Sequence, residues 1–522
     1  FFFTYEGYRE STFQRVNGDV PTPKLRQQIL TALPFPETRI LMDTLPEPNV
    51  VVDENIGRFE GSGRRESTEN HFVVKGDIQL TSASRLTLAY TRNRPFGLDP
   101  RYNLDGANDR TYDYAQDRVS AQYTLTRGPW IAESRLGYNR SDMQRLDHFF
   151  ALQDPSKAES IEWQRRVPRL GIQGLATWGS AEVWDMEGGT ASFDQKVSRQ
   201  AGRHLLKAGG RYVRYWGSRT NPENPFYEFA NLSDLAANIP ATVNITFGSH
   251  GPHKSRMFEF GFFAQDDVRV NSKLVLNLGL RYDFYSNDVV KPTGDVPVGV
   301  INLSPPSDFH KFDFGPARPL DRPTENDGWI NLGPRLGFAY NPDGQGKTVL
   351  RGGYGIMYAP QVPALLRQSV GHPIVPFRTI NTRAAALRLG ISYPMYAEDV
   401  RSIEEADVAA SGRRLVFSVI DPHLQNPYTM NFQFDVQRAV GRDLMVEMGY
   451  VGVLGKKYPM HRRYNLPDRI TGERPNPTLI PGGHYVDNSE STTYHSLQAS
   501  VRKRFANRFS FDAHYTLGRG LS

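Results

Sequence analysis

Hydrophobic and polar residues alternate along much of this chain. In Leu274–Phe284, every even position is Leu, Tyr or Phe, while the odd positions are Val, Asn, Gly, Arg and Asp. Because successive side chains of a strand point to opposite faces, this segment would have one apolar face and one largely polar face. Phe258, Phe260 and Phe262 alternate in the same way just before it, and a short polar link around Asn271 joins the two runs. The pattern predicts a β-hairpin.

The same unit recurs along the chain. Six further hairpins are predicted at 72–93, 118–139, 190–216, 331–358, 428–453 and 494–517. With an opening strand at Phe1–Arg9, they give about fifteen strands of roughly ten residues. Tight turns close the hairpins, whereas long, irregular, Pro-containing segments such as 140–189 and 359–427 separate them.

Long links that all fall on one side of a sheet are typical of outer-membrane barrels. Such barrels have short periplasmic turns, long extracellular loops, and strands of about ten residues that alternate apolar-out and polar-in. Structureless loops of this length are uncommon inside a compact soluble domain. The sequence therefore predicts an all-β fold, an antiparallel transmembrane β-barrel with long extracellular loops. Since bacterial single-chain barrels have even strand numbers, about fifteen strands would be part of a larger barrel.

Aromatic residues recur near the far end of the strand that leaves each tight turn. They are Tyr90, Tyr138, Tyr212 with Tyr215 and Trp216, Tyr282 with Phe284, Tyr354 with Tyr358, Tyr450, and Tyr515. Ten residues at about 3.3 Å rise and about 40° tilt cover roughly the 25 Å of an apolar band. The placement favours an aromatic girdle at the outer interface. The alternative is that Tyr is simply a frequent strand residue.

The composition excludes several classes of protein. There is no cysteine, which excludes disulfides, thiolate metal sites and cysteine catalysis. No run approaches the roughly 18 consecutive apolar residues of a spanning helix. A net charge of +6 over 522 residues, without a Lys/Arg block, gives no support for a nucleic-acid partner.

No catalytic constellation emerges from the motifs. Gly352–Gly355 lies within a strand, so packing space at a crowded lumen wall is favoured over a phosphate-binding loop. Asp266 and Asp267 would point to opposite faces, so interface charges are favoured over an acid–base pair. His250 and His253 have the spacing of a metal pair, but without a third ligand nearby an exposed loop is favoured. We expect no enzymatic activity and no cofactor.

One segment within the long links is expected to be helical. It covers 383–410, as Arg383–Leu389 and then Glu398–Ala409. It is interpreted as a loop helix, with a lid or a ligand-contacting element as the alternative.

Charged residues on the predicted inner face are the candidate site. They would line a polar lumen, where they contact a plug or steer an anionic substrate. These residues are Arg211, Arg281, Asp283, Arg335 and Arg351.

Several segments resemble the Oar-like family of TonB-dependent receptors. The matches lie throughout the chain, in the order that the family has them, and each one alone is weak. They are Phe1–Arg9 followed by Val20-Pro21-Thr22, Gly202–Gly210, Phe263–Asp267 with Leu278–Asp283, Asn331–Tyr340 with Leu350–Gly355, Asn426-Pro427-Tyr428 with Tyr450-Val451-Gly452, and Tyr494–Gln498 with Ser510–Leu517.

The resemblance implies a 22-stranded barrel in the outer membrane of a Gram-negative bacterium, with an N-terminal plug. It also implies energy coupling to a TonB-type complex through that plug. The plug, a preceding regulatory-like domain and the last strands are expected to lie outside residues 1–522, which would form one partial barrel domain. The implied partners are outer-membrane lipid, the TonB-type complex and a small or medium extracellular ligand, with the protein as a monomer.

Three functions follow as hypotheses. The first is an uptake receptor for a bulky, scarce nutrient such as a metal chelate, an oligosaccharide or a peptide. The second is a structural or adhesive barrel whose loops bind surface partners without transport. The third is a soluble all-β binding protein such as a multi-domain lectin, whose inward-facing apolar residues would pack against one another.

Overall fold

The computed structural model describes most of the 522 residues. The described ranges are 1–99, 110–147, 168–179, 184–220, 225–245, 253–286, 289–292, 299–304, 313–319, 330–361, 378–396, parts of 399–410, 418–463, 466–474 and 484–522, apart from 381, 422 and 507.

Fifteen long strands dominate the described part of the chain. Numbered in chain order among all strands, they are β1 (Phe2–Pro21), β3 (Ile56–Thr81), β4 (Ser84–Asp99), β5 (Arg110–Arg127), β6 (Trp130–Asp147), β9 (Trp184–Ala201), β10 (His204–Thr220), β13 (His253–Arg269), β14 (Leu274–Tyr285), β18 (Leu332–Tyr340), β19 (Thr348–Tyr358), β22 (Tyr428–Val440), β23 (Leu444–Arg463), β24 (His484–Ala506) and β25 (Phe509–Leu521).

Shorter elements occupy the long links between these strands. The short strands are β2 (Val50–Val51), β7 (Arg169–Ile172), β8 (Ala176–Trp178), β11 (Phe226–Phe229), β12 (Thr242–Ile245), β15 (Val289–Pro292), β16 (Gly299–Ser304), β17 (Asp313–Pro319), β20 (Arg378–Ile380) and β21 (Ser418–Ile420). The helices are α1 (Pro23–Ala32), α2 (Pro36–Thr44), α3 (Leu232–Ala236) and α4 (Arg383–Leu389). Within the described ranges, none of the helices has the length and apolar character needed to cross a membrane.

Each long strand pairs antiparallel with the next long strand along the chain, from β1 to β25. Tight turns alternate with long links, as the sequence predicts. Gly128 and Gly202 open two of the tight turns with φ of +56° and +57°. These left-handed values favour glycine, because a Cβ would approach the following carbonyl. The predicted all-β antiparallel architecture is confirmed.

The strands are longer than the predicted ten residues. β3 has 26 residues, β24 has 23 and β1 has 20. The added lengths, such as 56–71 of β3, are mostly polar and therefore lack apolar alternation. Backbone pairing does not require that alternation, so polar extensions continue the ladder beyond the segment that the pattern detects.

One face of this sheet is apolar and exposed. Leu136, Phe262, Leu280 and Phe434 lie on it and are 57%, 58%, 51% and 46% exposed. Every long strand from β3 to β25 has exposed apolar side chains, and the strand registers place them on this same face. A contiguous exposed apolar surface of this extent is typical of a membrane contact.

Aromatic rings cluster at the long-link end of that face. The ring centroids of Tyr138 and Trp216 lie 5.7 Å apart, and those of Tyr212 and Phe258 lie 6.3 Å apart. Tyr215 does not belong to the predicted girdle. It is three positions from Tyr212, and side chains an odd number of positions apart on a strand point to opposite faces. It lies on the opposite face of β10 from Tyr212.

Gly352 also departs from the prediction of lumen packing space. Its strand position places it on the apolar face, opposite Phe338. A Cβ at Gly352 would lie 2.3 Å from Phe338 Cε1. The space that this glycine leaves is therefore filled by an aromatic ring on the outward side.

The main hydrophobic core lies in the long links. We define the cap as the described parts of 22–55, 168–179, 225–245 and 378–403. Its five short strands pair in the order β20-β12-β11-β7-β8. Trp178, Tyr227 and Tyr393 are almost fully buried in its core, together with Leu25 of α1 and Leu41 of α2.

Hydrogen bonds join separate links within the cap. Tyr227 OH donates to the Met395 carbonyl at 2.7 Å, and Trp178 Nε1 attaches the cap to β1 by donating to the Asp19 carbonyl at 3.1 Å. Tyr396 OH donates to Glu37 Oε1 at 2.8 Å across 359 positions of sequence. The prediction that these links are irregular is therefore wrong for the cap.

The predicted helical segment belongs to the cap. Arg383–Leu389 is helical as predicted, with the Thr382 side chain accepting from the Ala385 amide at 3.1 Å. The described residues of 399–410 are also helical, and Val400 is fully buried in the cap core.

The apolar face generates a test with adjacent residues. Phe434→Arg places a charge on the apolar face, whereas Gln433→Arg places it on the opposite face of the same strand. In a bilayer we expect Phe434→Arg to cost about 2–4 kcal/mol near the midplane and Gln433→Arg to cost little. Urea unfolding of the reconstituted full-length protein measures both values. Equal costs would contradict the predicted direction of the two faces.

The cap generates a test with pH. Burial raises the pKa of the Tyr227 and Tyr393 phenols above their ordinary value. Tyrosines in the unfolded chain ionise near pH 10, whereas the buried phenols stay neutral at higher pH. The free energy of cap unfolding should therefore be constant below about pH 10 and fall as the pH rises above it. Each buried phenol should contribute about 1.4 kcal/mol per pH unit in that range.

Fluorescence of Trp178 would report cap opening, as the difference from a Trp178→Phe variant. Tyr393→Phe should reduce the slope of cap stability against pH, and the double variant Tyr227→Phe/Tyr393→Phe should reduce it further. A slope that is the same in all three proteins would show that these phenols do not control the transition.

Candidate functional site

The polar face of the sheet brings four of the five candidate residues together. Arg211 of β10, Arg281 and Asp283 of β14, and Arg335 of β18 line one cavity of about 250 Å³. The strand registers put these residues on one face. Arg211 and Asp283 are the cross-strand partners of Gly261, and Arg335 is the cross-strand partner of Gly279. We call this cavity the inner-wall site.

Arg351 lies on the same face but outside the inner-wall site. It belongs to β19, and its Nη1 donates to Gln437 Oε1 of β22 at 2.8 Å. The sequence pattern therefore placed it on the correct face without showing that it is separate from the other four.

Arg281 and Asp283 form a close ion pair. They are two residues apart on one strand, so their side chains point the same way. Arg281 Nε donates to both carboxylate oxygens of Asp283 at 2.9 and 2.8 Å, and Nη2 donates to Oδ1 at 2.6 Å. Two parallel contacts of this kind fix the orientation of both groups.

Gly261 provides the space that this pair needs. It lies opposite Asp283 on β13, and a Cβ there would come within 2.5 Å of Asp283 Oδ1 and 2.7 Å of Arg281 Nη2. Sequence reasoning missed this residue, because a strand glycine shows which side chain it makes room for only when the register is known.

The other two arginines differ in their partners. Arg211 Nε lies 3.6 Å from Asp194 Oδ1 and 3.8 Å from Glu259 Oε1. Arg335 is exposed and has no ion pair within the described ranges. The cavity is therefore lined by three arginines and two carboxylates, Glu259 and Asp283, which leaves a positive excess.

Basic residues continue along the wall towards the tight turns. Lys196 and Lys207 line an adjoining cavity of about 280 Å³ that also includes Arg281 and Arg335. Lys207 Nζ donates to Asp267 Oδ2 at 2.5 Å. Asp266 lies on the other face, with Oδ2 2.6 Å from His204 Nδ1, as the alternation predicts.

The arrangement can bind charged groups through ion pairs and hydrogen bonds. No cluster of three potential His, Cys, Asp or Glu ligands occurs among the described residues. His250 and the side chain of His253 lie outside them, so the predicted interpretation of that pair stays a prediction.

A solved structure of an outer-membrane protein shares this fold, and a second is similar to it. The outer membrane transporter YddB from Escherichia coli matches 99% of this chain and 55% of its own, with a TM-score of 0.53 and 10% identity. The alcaligin outer membrane receptor FauA from Bordetella pertussis matches 99% of this chain and 61% of its own, with a TM-score of 0.47 and 8% identity. This chain thus spans between half and two thirds of their lengths. No curated protein sequence matches it.

A family model covers the whole sequence. The model described as "Outer membrane beta barrel domain" matches residues 1–522. The exposed apolar face, the polar inner wall and the alternation of tight turns with long links agree with that description. The protein is located in the outer membrane, and the chain belongs to the outer membrane β-barrel domain family.

Proposed function

We propose that the full-length protein is a TonB-dependent receptor that takes up a bulky, scarce nutrient, such as a metal chelate, an oligosaccharide or a peptide. The main observation behind this proposal is the inner-wall site, a group of charged side chains on the polar face of an outer-membrane barrel domain. The ordered motifs shared with Oar-like receptors and the fold similarity to YddB support the same proposal.

In this proposal the protein performs no chemistry. The cap and the other long links contact the extracellular ligand, and the inner wall contacts a plug or attracts an anionic substrate. A TonB-type complex acts through a plug segment outside residues 1–522. The positive excess around Arg335 favours a negatively charged group on the molecule that meets the wall.

An adhesive barrel is the second candidate, and the folded cap favours it. A surface built from interlocked links with its own core can present a fixed shape to a partner without transport. Deletion of the gene separates the two functions.

The deletion experiment uses a defined panel of nutrients. Uptake of labelled ferric chelates, oligosaccharides and peptides would be compared between wild-type cells, a deletion strain and the complemented strain. A receptor requires that uptake of one class is lost on deletion, is restored by the gene and is abolished by a protonophore. Unchanged uptake of every class, together with lost adhesion, would favour the adhesive barrel.

Arg335 provides a residue-level test. We expect Arg335→Gln to reduce uptake about tenfold, because a hydrogen bond to a charged group contributes about 1.5–3 kcal/mol. Arg351→Gln is the matched control, since Arg351 is on the same face but outside the inner-wall site. If the two variants transport equally well, the inner-wall site has no part in uptake.

A further inference from the structure

A groove runs along β10 on the outward, apolar face. Two hollows of about 800 and 670 Å³ share Val197 and Ala208, so they form one continuous groove. Ala208 and Gly210 make its floor, and Phe193 and Phe262 stand on either side at 44% and 58% exposure. The concavity arises because small residues on β10 lie between large residues on β9 and β13.

Three cations lie beyond the outer end of this groove, on the same face. They are Arg214 of β10 and Arg256 and Lys254 of β13. Arg214 is in register with Phe258, Trp216 with Arg256, and Ser218 with Lys254. All three cations are exposed, and none forms an ion pair with any residue in the described ranges.

Two arginines on β4 and β6 of that face behave differently. Arg94 Nη2 lies 3.1 Å from Asp113 Oδ2, and Arg140 Nη2 lies 3.2 Å from Asp142 Oδ2 and 3.4 Å from Glu187 Oε1. Within the described ranges, the lack of an ion pair thus distinguishes the cations of β10 and β13 from these paired arginines.

The height of the cations fits a lipid headgroup. Tyr212 is the ninth residue of β10 after the tight turn, and about ten strand residues cover the apolar band of a barrel. Arg214 and the two cations beyond it therefore lie at the outer boundary of the hydrocarbon, beside Tyr212 and Trp216. Aromatic rings and basic side chains are both favoured at that depth.

We propose that this surface binds a lipid of the outer leaflet with a negatively charged, phosphate-bearing headgroup. One acyl chain lies in the groove over Ala208 and Gly210. The phosphate contacts Arg214, Arg256 and Lys254, which form no ion pair within the described part of the chain. This inference depends on the outer-membrane location and is independent of whether the protein transports a nutrient.

Native mass spectrometry of the detergent-solubilised full-length protein tests the proposal. The probes are dimyristoyl phosphatidylglycerol and dimyristoyl phosphatidylcholine, which have identical acyl chains and differ in headgroup charge. We expect the anionic lipid to bind at least tenfold more tightly. The triple variant Arg214→Gln/Lys254→Gln/Arg256→Gln should lose this preference, whereas Arg94→Gln/Arg140→Gln should retain it.

A second variant tests the groove without changing charge. Ala208→Phe fills the floor with an apolar side chain on an apolar face, so heat-modifiable migration in gels should show normal assembly. It should weaken binding of the anionic lipid several-fold. Equal binding of both lipids by the wild-type protein would overturn the proposal, as would equal losses in the triple and paired-arginine variants. A protein dimer that covers this face and excludes lipid would also overturn it.

Discussion

The structure depends on the need to hydrogen-bond every backbone group that lies in hydrocarbon. An unpaired amide or carbonyl there costs several kcal/mol, so only helices or paired sheets without lipid-exposed edges can span a bilayer. Here the antiparallel ladder that runs from β1 to β25 supplies those bonds. Because strand side chains alternate, the same ladder assigns each residue to the lipid side or the inner side by its position alone. The apolar face and the inner-wall site therefore both follow from the requirement that the backbone of the spanning sheet is fully hydrogen-bonded.

That constraint also explains what the sequence predicts well. The alternation in Leu274–Phe284 locates a strand and places Arg281 and Asp283 together, since both occupy odd positions. The same alternation predicts that Arg211 and Arg335 lie on that face, and the prediction needs no information about contacts between strands. It does not give the distance between strands around the sheet, so Arg351 could not be separated from the site. Gly261 was missed because its role depends on register.

The cap could not be predicted because its stability is non-local. Its strands have three or four residues, too few for a periodic signal, and the pairings β11–β7 and β12–β20 join different links. Tyr227 bonds to Met395 and Tyr396 bonds to Glu37, across 168 and 359 positions. A spanning sheet whose two faces meet lipid and a polar interior leaves little room for a dry core, so apolar packing is concentrated in the links. The cap therefore has a folded core, which a ligand-binding or adhesive surface of fixed shape requires.

The two faces use charge in different ways, and the difference follows from what each face contacts. On the inner face, carboxylates surround most cations, as Asp283 does Arg281 and Asp194 and Glu259 do Arg211. Such balance suits a wall that meets water and polar groups, whereas Arg335 has no carboxylate partner within the described ranges. On the outer face, acids form ion pairs with Arg94 and Arg140, whereas Arg214 has none among the residues that the structure describes. A cation held at the edge of hydrocarbon has few sources of counter-charge, and the closest one is the lipid headgroup itself. In both proposals, the cations without an ion pair in the described ranges are the ones assigned to an external ligand.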